Sequence, residues 1–429
     1  MSGPVPYRGN YIAGRFLRPS KGVELVSQDP GDLLHPVGRV FTSESAVAPA
    51  VAAARATLPK WRALPLKRRA AFLKTFQKVL RKRQAEWIHL LAREAGKPLP
   101  ESRREIERLT AKVDEMLGAG VGRLRPFTLP VGPGVKGRCL TRPIGVVAVI
   151  GPFNFPAHTP ATHILPALLF GNTVVFKPSE LTPFVGQWIA EALAAAKLPA
   201  GVFNLVQGGS KVGEVLARQP ELDGLFFTGS TAAGQAIRTA TFKNSRILLA
   251  MEMGGKNAAC VLPDADLDLA AAEVTQAAFS MAGQRCNATS RVIVHKSVAG
   301  KFLERFLALT DRATIGYPAA DPVLMGPLIS HDAVAKLQRY RKLAREEGFE
   351  PVRAGKGLGS WGKRRGYYVT PSVHLCEKPA RNKSVHYRKE EIFGPDVAVY
   401  VARDEEEIVR LNNEVPYGLI TAVFTKRKG

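Results

Sequence analysis

From Ile144 onward the chain alternates short apolar runs with helix-forming stretches, and this alternation restricts the possible folds more than any other feature. Residues 146–150, 173–176, 202–206 and 224–227 are strand-like, with Ala- and Leu-rich segments between them. That alternation is the mark of a parallel sheet with helices on its faces. Such a sheet places ligands at the turns leaving the carboxyl ends of its strands, and here each run is followed by a polar or glycine-bearing turn. A second α/β block begins near Gly255. Ahead of the first, residues 43–119 read as long helices. Leu66, Ala70, Leu73, Phe76 and Leu80 fall at helical spacing, Ser43, Glu44 and Ser45 offer capping groups, and Gly96-Lys97-Pro98 breaks the run. The residues before Ser43 read as an extended start. Between Pro126 and Pro143 the helix formers give way to Gly, Pro and Thr, which suggests a β-ribbon or linker.

A chain of 429 residues exceeds one small core and implies two or three domains. With 45% hydrophobic and 23% charged residues, disordered and fibrous classes are excluded. The most apolar stretches, 144–150 and 165–170, fall far short of the ~20 residues of a membrane span. The N-terminus lacks the pattern of a secretory signal, so a cytoplasmic location is expected. Cys139, Cys260, Cys286 and Cys376 form no CxxC pair, which argues against a disulfide framework and a zinc site. The net charge of +24 suits a polyanionic partner or small anionic substrates. Because the basic residues are spread along the chain with no nucleic-acid motif, the second reading is preferred.

Five turns carry candidate chemistry. Gly151-Pro152-Phe153-Asn154-Phe155-Pro156 holds an amide in a stiff turn, suited to donating to an oxyanion, although Asn and Pro are also ordinary turn residues. Lys177-Pro178-Ser179-Glu180 ends a strand with groups that can bracket a ribose, or that simply form a solvated loop. Thr228-Gly229-Ser230-Thr231-Ala232-Ala233-Gly234 reads as strand, turn and helix start, open to a pyrophosphate or merely a helix cap. Glu252 sits between Met251 and Met253 before a double glycine, where desolvation raises a carboxyl toward the range of a general base. In Ala282-Gly283-Gln284-Arg285-Cys286 a cation precedes a thiol and favours thiolate; an inert core cysteine is the plainer alternative.

In their order and spacing these segments resemble the aldehyde dehydrogenase superfamily, over nearly the whole chain through Glu391-Ile392-Phe393-Gly394-Pro395. The resemblance implies an α/β fold with a Rossmann-like cofactor domain (1–125 and 144–253), a small oligomerisation ribbon (126–143) and an α/β catalytic domain (254–429). It implies NAD as cofactor, an aldehyde substrate, no metal and a homo-oligomer. Residue by residue, it makes Cys286 the nucleophile, Glu252 the base and Asn154 the oxyanion amide. Phe153, Lys177, Ser179, Glu180, Gly229, Ser230, Gly234, Glu391 and Phe393 become cofactor contacts. Within the superfamily, the run from Gly151 to Pro183 is most similar to the branch that oxidises N-succinylglutamate 5-semialdehyde in arginine catabolism, with His163 where many members carry lysine. His158, His163, Arg285 and Arg291 are then the basic candidates for meeting a dianionic aldehyde. Other aldehydes, or a non-catalytic binding protein on the same fold, are the competing readings. The chain ends soon after Tyr417-Gly418-Leu419, where family members continue, so a catalytic domain short at its C-terminus is expected.

Overall fold

The structure, a computed structural model, describes residues 3–320, 322–376 and 385–427. It divides into two compact units, one of Met1–Gln28, Pro36–Glu94 and Ser102–Met253, the other of Asp29–His35, Ala95–Glu101 and Gly254–Gly429. Two short segments that the division at 125 and 144 assigns to the cofactor part, Asp29–His35 and Ala95–Glu101, cluster with the second unit.

In the first unit, strand Val146–Ile150 lies between Thr173–Lys177 and Gly224–Thr228, parallel to both. The full order runs Leu248–Glu252, Gly224–Thr228, Val146–Ile150, Thr173–Lys177, Phe203–Leu205, Asn10–Ile12, Arg15–Leu17. The extended start therefore completes the sheet, with Asn10–Ile12 antiparallel to Phe203–Leu205. Every residue of Val146–Ile150 is buried, which is why the sequence shows an unbroken apolar run rather than an alternating one. Val146, Ala148 and Ile150 share one core with Val47, Ala50, Val51, Ala54 and Leu58 of helix Val47–Ala63. The strand order reverses between Val146–Ile150 and Gly224–Thr228, and at such a switch point an open sheet leaves a crevice beyond its carboxyl ends. The turns of Asn154 and Ser230 leave those two strands.

Outside the sheet, Phe127–Gly132 and Val135–Cys139 form a two-stranded antiparallel ribbon. It exposes Phe127, Leu129, Val131 and Val135.

The second unit has its own sheet, ordered Glu350–Arg353, Ser372–Cys376, Asp396–Ala402, Thr289–His295, Asn257–Val261, Thr421–Phe424, parallel except at the first pair. Helices Leu267–Phe279 and Ala299–Asp311 contribute stacked rings, Phe279 on Phe306 and Phe302 on Phe306, to its core. No described helix is long and apolar enough to cross a membrane.

Helix Pro183–Ala195 follows strand Thr173–Lys177, and its N-cap Thr182 makes no capping bond through its side chain. Its first amides are met from a distance instead. Glu94, wholly buried, accepts from Phe184 N at 2.9 Å, Val185 N at 2.8 Å and Ser27 Oγ at 2.7 Å. Burial pushes the Glu94 carboxyl up to about 7 against those donors. The folded protein thus keeps a proton that the unfolded chain releases near the ordinary glutamate value, and stability falls as pH rises from about 4.5 to 7. Glu94→Gln removes this titration. Over that interval wild type should lose up to about 3 kcal/mol of unfolding free energy relative to the variant. Urea denaturation across pH reads it, and parallel profiles would contradict the assignment.

Candidate active site

The turn after Val146–Ile150 begins where Gly151 N donates to Lys177 O at 3.0 Å, tying it to the neighbouring strand. Asn154 is buried, and its Oδ1 accepts from Phe155 N at 3.1 Å, which turns the amide nitrogen the other way as the donor. Helix His158–Leu169 then starts at Ala157, which has no side chain to cap it. Glu105 supplies the cap. Its Oε1 accepts from both Ala157 N and His158 N at 2.9 Å.

On the adjacent strand, Lys177 is buried and donates to Pro178 O at 2.9 Å, to Gly208 O at 2.6 Å and to Glu180 at 3.5 Å. Burial lowers its pKa while Glu180 opposes the shift. Glu180 itself is exposed, and Ser179 Oγ accepts from Leu181 N. Ser230 caps helix Thr231–Thr241 by accepting from Ala233 N at 3.2 Å, and the first turn carries no acidic residue. Ser230 and Ala232 are exposed. A side chain on Gly234 would press its Cβ to 2.5 Å from Met253 Sδ. These features suit a dinucleotide: small residues at the positive end of a helix for the phosphates, and an exposed carboxylate for ribose hydroxyls.

Two sequence expectations for this unit are corrected. Glu252 is exposed rather than buried among methionines. It ends Leu248–Glu252, an edge strand with a partner on one side only, so its flanking Met251 and Met253 do not enclose it. His163 is packed against Phe226, ring centroids 5.5 Å apart, and its Nε2 makes no hydrogen bond among the described residues. Burial lowers its pKa, favouring the neutral ring. A neutral ring in this place is a poor cation for a dianion.

In the second unit, Cys286 is exposed and follows a pinned loop. Met281, Ala282 and Gly283 have φ of +57°, +54° and +68°, three consecutive left-handed residues. Such strain persists only where the surroundings over-determine it. Here Gln284 donates to Met281 O and Pro327 O and accepts from Ile329 N, while Asn257 donates to Cys286 O at 2.7 Å and Ala288 O at 2.9 Å. Sequence reasoning missed Asn257 and Glu105. Neither stands in a motif of its own, since each works on backbone distant in the chain. Arg285 turns back to the carbonyls of Gln276 and Ala277 at the end of helix Leu267–Phe279. Arg291 is excluded as a substrate contact: it is buried and spends its guanidinium on Lys256 O, Leu411 O and Asn412 O. Glu391 accepts from Gly255 N at 3.1 Å; burial raises its pKa against that bond and against Lys336 and Lys256. Phe393 is left-handed, with φ +59°.

The sequence profile of the aldehyde dehydrogenase family matches residues 32–429. The chain belongs to this family. The N-succinylglutamate 5-semialdehyde dehydrogenase of Burkholderia mallei is 38% identical over 415 residues, 95% of this chain and 82% of the relative. Among solved structures, 1-pyrroline-5-carboxylate dehydrogenase from Thermus with bound NAD superimposes with a TM-score of 0.88 at 28% identity, covering 99% of this chain and 81% of that one. An NADP-dependent enzyme of Escherichia coli gives a TM-score of 0.90 at 31% identity, over 98% and 86% of the two chains.

The cysteine loop of this aldehyde dehydrogenase is intolerant of a methyl group at Gly283. A Cβ there would collide with the carbonyl oxygen of Gly394, at a φ that L-residues rarely adopt. Gly283→Ala should cost about 1–3 kcal/mol and, with Cys286 as the expected nucleophile, reduce turnover by at least about tenfold through displacement of its thiol. Thermal unfolding and a turnover assay measure both, and a fully active, equally stable variant would refute the dependence.

Proposed function

We propose that this aldehyde dehydrogenase uses NAD to oxidise an anionic aldehyde, N-succinylglutamate 5-semialdehyde, to the carboxylate. The observation carrying the chemistry is an exposed thiol, Cys286, at the end of a strained and pinned loop. The substrate is supported by relatives of that name at 38% identity over 95% of the chain and by a net charge of +24, which speeds encounter with a dianion.

The Cys286 thiolate adds to the aldehyde carbon, and the carbonyl oxygen takes on negative charge. The Asn154 amide and the Cys286 backbone N–H donate to that oxygen. NAD, when bound, supplies the hydride acceptor; Phe153, Lys177, Ser179, Glu180, Gly229, Ser230, Gly234, Glu391 and Phe393 are the residues assigned to hold it. The remaining thioester is hydrolysed by water that gives its proton to Glu252. The exposure of Glu252 suits that step, because the carboxylate has access to solvent. Glu180, also exposed, should disfavour the extra phosphate of NADP. Of the four basic candidates, His158 and Arg285 are partly exposed, though Arg285 also holds the carbonyls of Gln276 and Ala277.

The apolar ribbon is assigned to contact with a second copy, and a single-copy mass in sedimentation would overturn that. The cysteines form no disulfide among the described residues, and we assign the enzyme to the reducing cytoplasm; localisation of a tagged chain tests it.

One NADH-absorbance series tests the reaction. Cys286→Ala should abolish turnover, and Glu252→Gln should give one burst of NADH and then stall. NADP should serve less well than NAD, and Glu180→Ala should narrow the gap. The dianionic semialdehyde should exceed an uncharged aldehyde of similar length in kcat/KM by about tenfold or more at low salt, the margin shrinking at high salt. Steady turnover by Cys286→Ala would sink the mechanism. A preference for the uncharged aldehyde at both salts would sink the substrate alone.

A further inference from the structure

We infer that Glu105 is a positioning residue for the oxyanion amide: by capping helix His158–Leu169 from a distant helix it fixes the turn that presents Asn154. The inference rests on the oxyanion reading of Asn154 given above. Glu105 belongs to helix Leu99–Glu115 and is 1% exposed. On that helix Ile106, Leu109 and Val113 are also buried, so a carboxylate among them needs strong donors to offset its desolvation. It finds two on one oxygen, the N–H groups of Ala157 and His158 at 2.9 Å each. Those are two of the amides that a helix start leaves unpaired, and Ala157 offers no side chain to meet them.

The geometry between cap and amide is short and closed. Asn154 lies three residues before Ala157, and its Oδ1 is already committed to Phe155 N. Phe155 O in turn accepts from Thr159 N at 3.1 Å, inside the first turn of the helix. The far end of the loop is held by Gly151 N on Lys177 O. A Cβ on Gly151 would come to 2.7 Å from Pro160 Cγ, so loop and helix are in close contact there too. Releasing Ala157 and His158 therefore loosens the helix end of the turn, and the direction of the Asn154 amide loosens with it. The charge matters as well as the shape. A carboxylate at the positive end of the helix is bound more tightly than a neutral acceptor, so Gln at this place should hold the turn less firmly than Glu and more firmly than Ala.

The test is a double-mutant cycle on the full chain, read as the rate of the first NADH burst with saturating aldehyde and NAD. Asn154→Ala should slow the burst about 100-fold, the scale of losing one oxyanion donor. Glu105→Ala should slow it about 10- to 100-fold with aldehyde KM changed less than about threefold, and Glu105→Gln by an intermediate factor. In the Asn154→Ala background Glu105→Gln should have no further effect, because the amide it positions is gone. A purely structural role would leave the burst of Glu105→Gln unchanged while lowering its melting temperature, and that result overturns the inference. So does a multiplicative loss in the double variant, which keeps Asn154 as the amide but shows that Glu105 acts elsewhere. If Glu105→Ala does not fold, the Gln cycle decides alone. Full burst rate in Asn154→Ala would instead overturn the oxyanion assignment itself, and this inference with it.

Discussion

A parallel sheet brings every helix start to one edge, and that crowding governs the first unit. Each helix following a strand presents unpaired N–H groups and the positive end of its dipole there. Where such ends are buried, something must accept from them. The starts after Val146–Ile150 and Thr173–Lys177 are answered by Glu105 and Glu94, both buried and both from elements earlier in the chain. The start at Thr231 is answered only by the neutral Ser230 Oγ and remains exposed. Two buried starts are thus met internally, while the exposed start at Thr231, like that of helix Ser210–Ala217, carries no carboxylate, and an open start of this kind suits the pyrophosphate proposed for the Ser230 turn.

The second unit solves a different problem. The nucleophile proposed for it, Cys286, must stand at a fixed place on a loop, and loops are fixed only by what surrounds them. Three successive left-handed residues are tolerated because Gln284 and Asn257 bind the backbone on both sides of the turn. Lys256, buried next to Asn257 with its ammonium over the Tyr387 ring at 5.2 Å, is pushed down to about 7 by its burial. Gln284 and Asn257 are thus used to fix backbone.

What could be read from the sequence depended on range. Val146–Ile150 and Thr173–Lys177 were legible because strands buried on both faces are apolar throughout, and the Ser230 cap because it acts three residues away. Asn10–Ile12 was not, since three residues show no period and owe their place to Phe203–Leu205 far along the chain. Glu252 was misjudged from its methionine neighbours, whose proximity in sequence says nothing about an edge strand. Arg291 was misjudged for a similar reason: it is near Cys286 in sequence, but its side chain enters the interior to hold the carbonyls of Leu411 and Asn412. Glu94 and Glu105 gave no signal, because a cap supplied from 52 to 91 residues upstream leaves the capped helix with an ordinary-looking start.

That upstream placement also bears on synthesis. A chain made from its N-terminus releases helix Gln84–Glu94 and helix Leu99–Glu115 before either of the helices they cap. Both acceptors are therefore already outside the ribosome when the amides of Ala157, His158, Phe184 and Val185 emerge. Each new βα segment can close onto a waiting partner, without exposing bare amides for the time that a downstream cap would take to arrive.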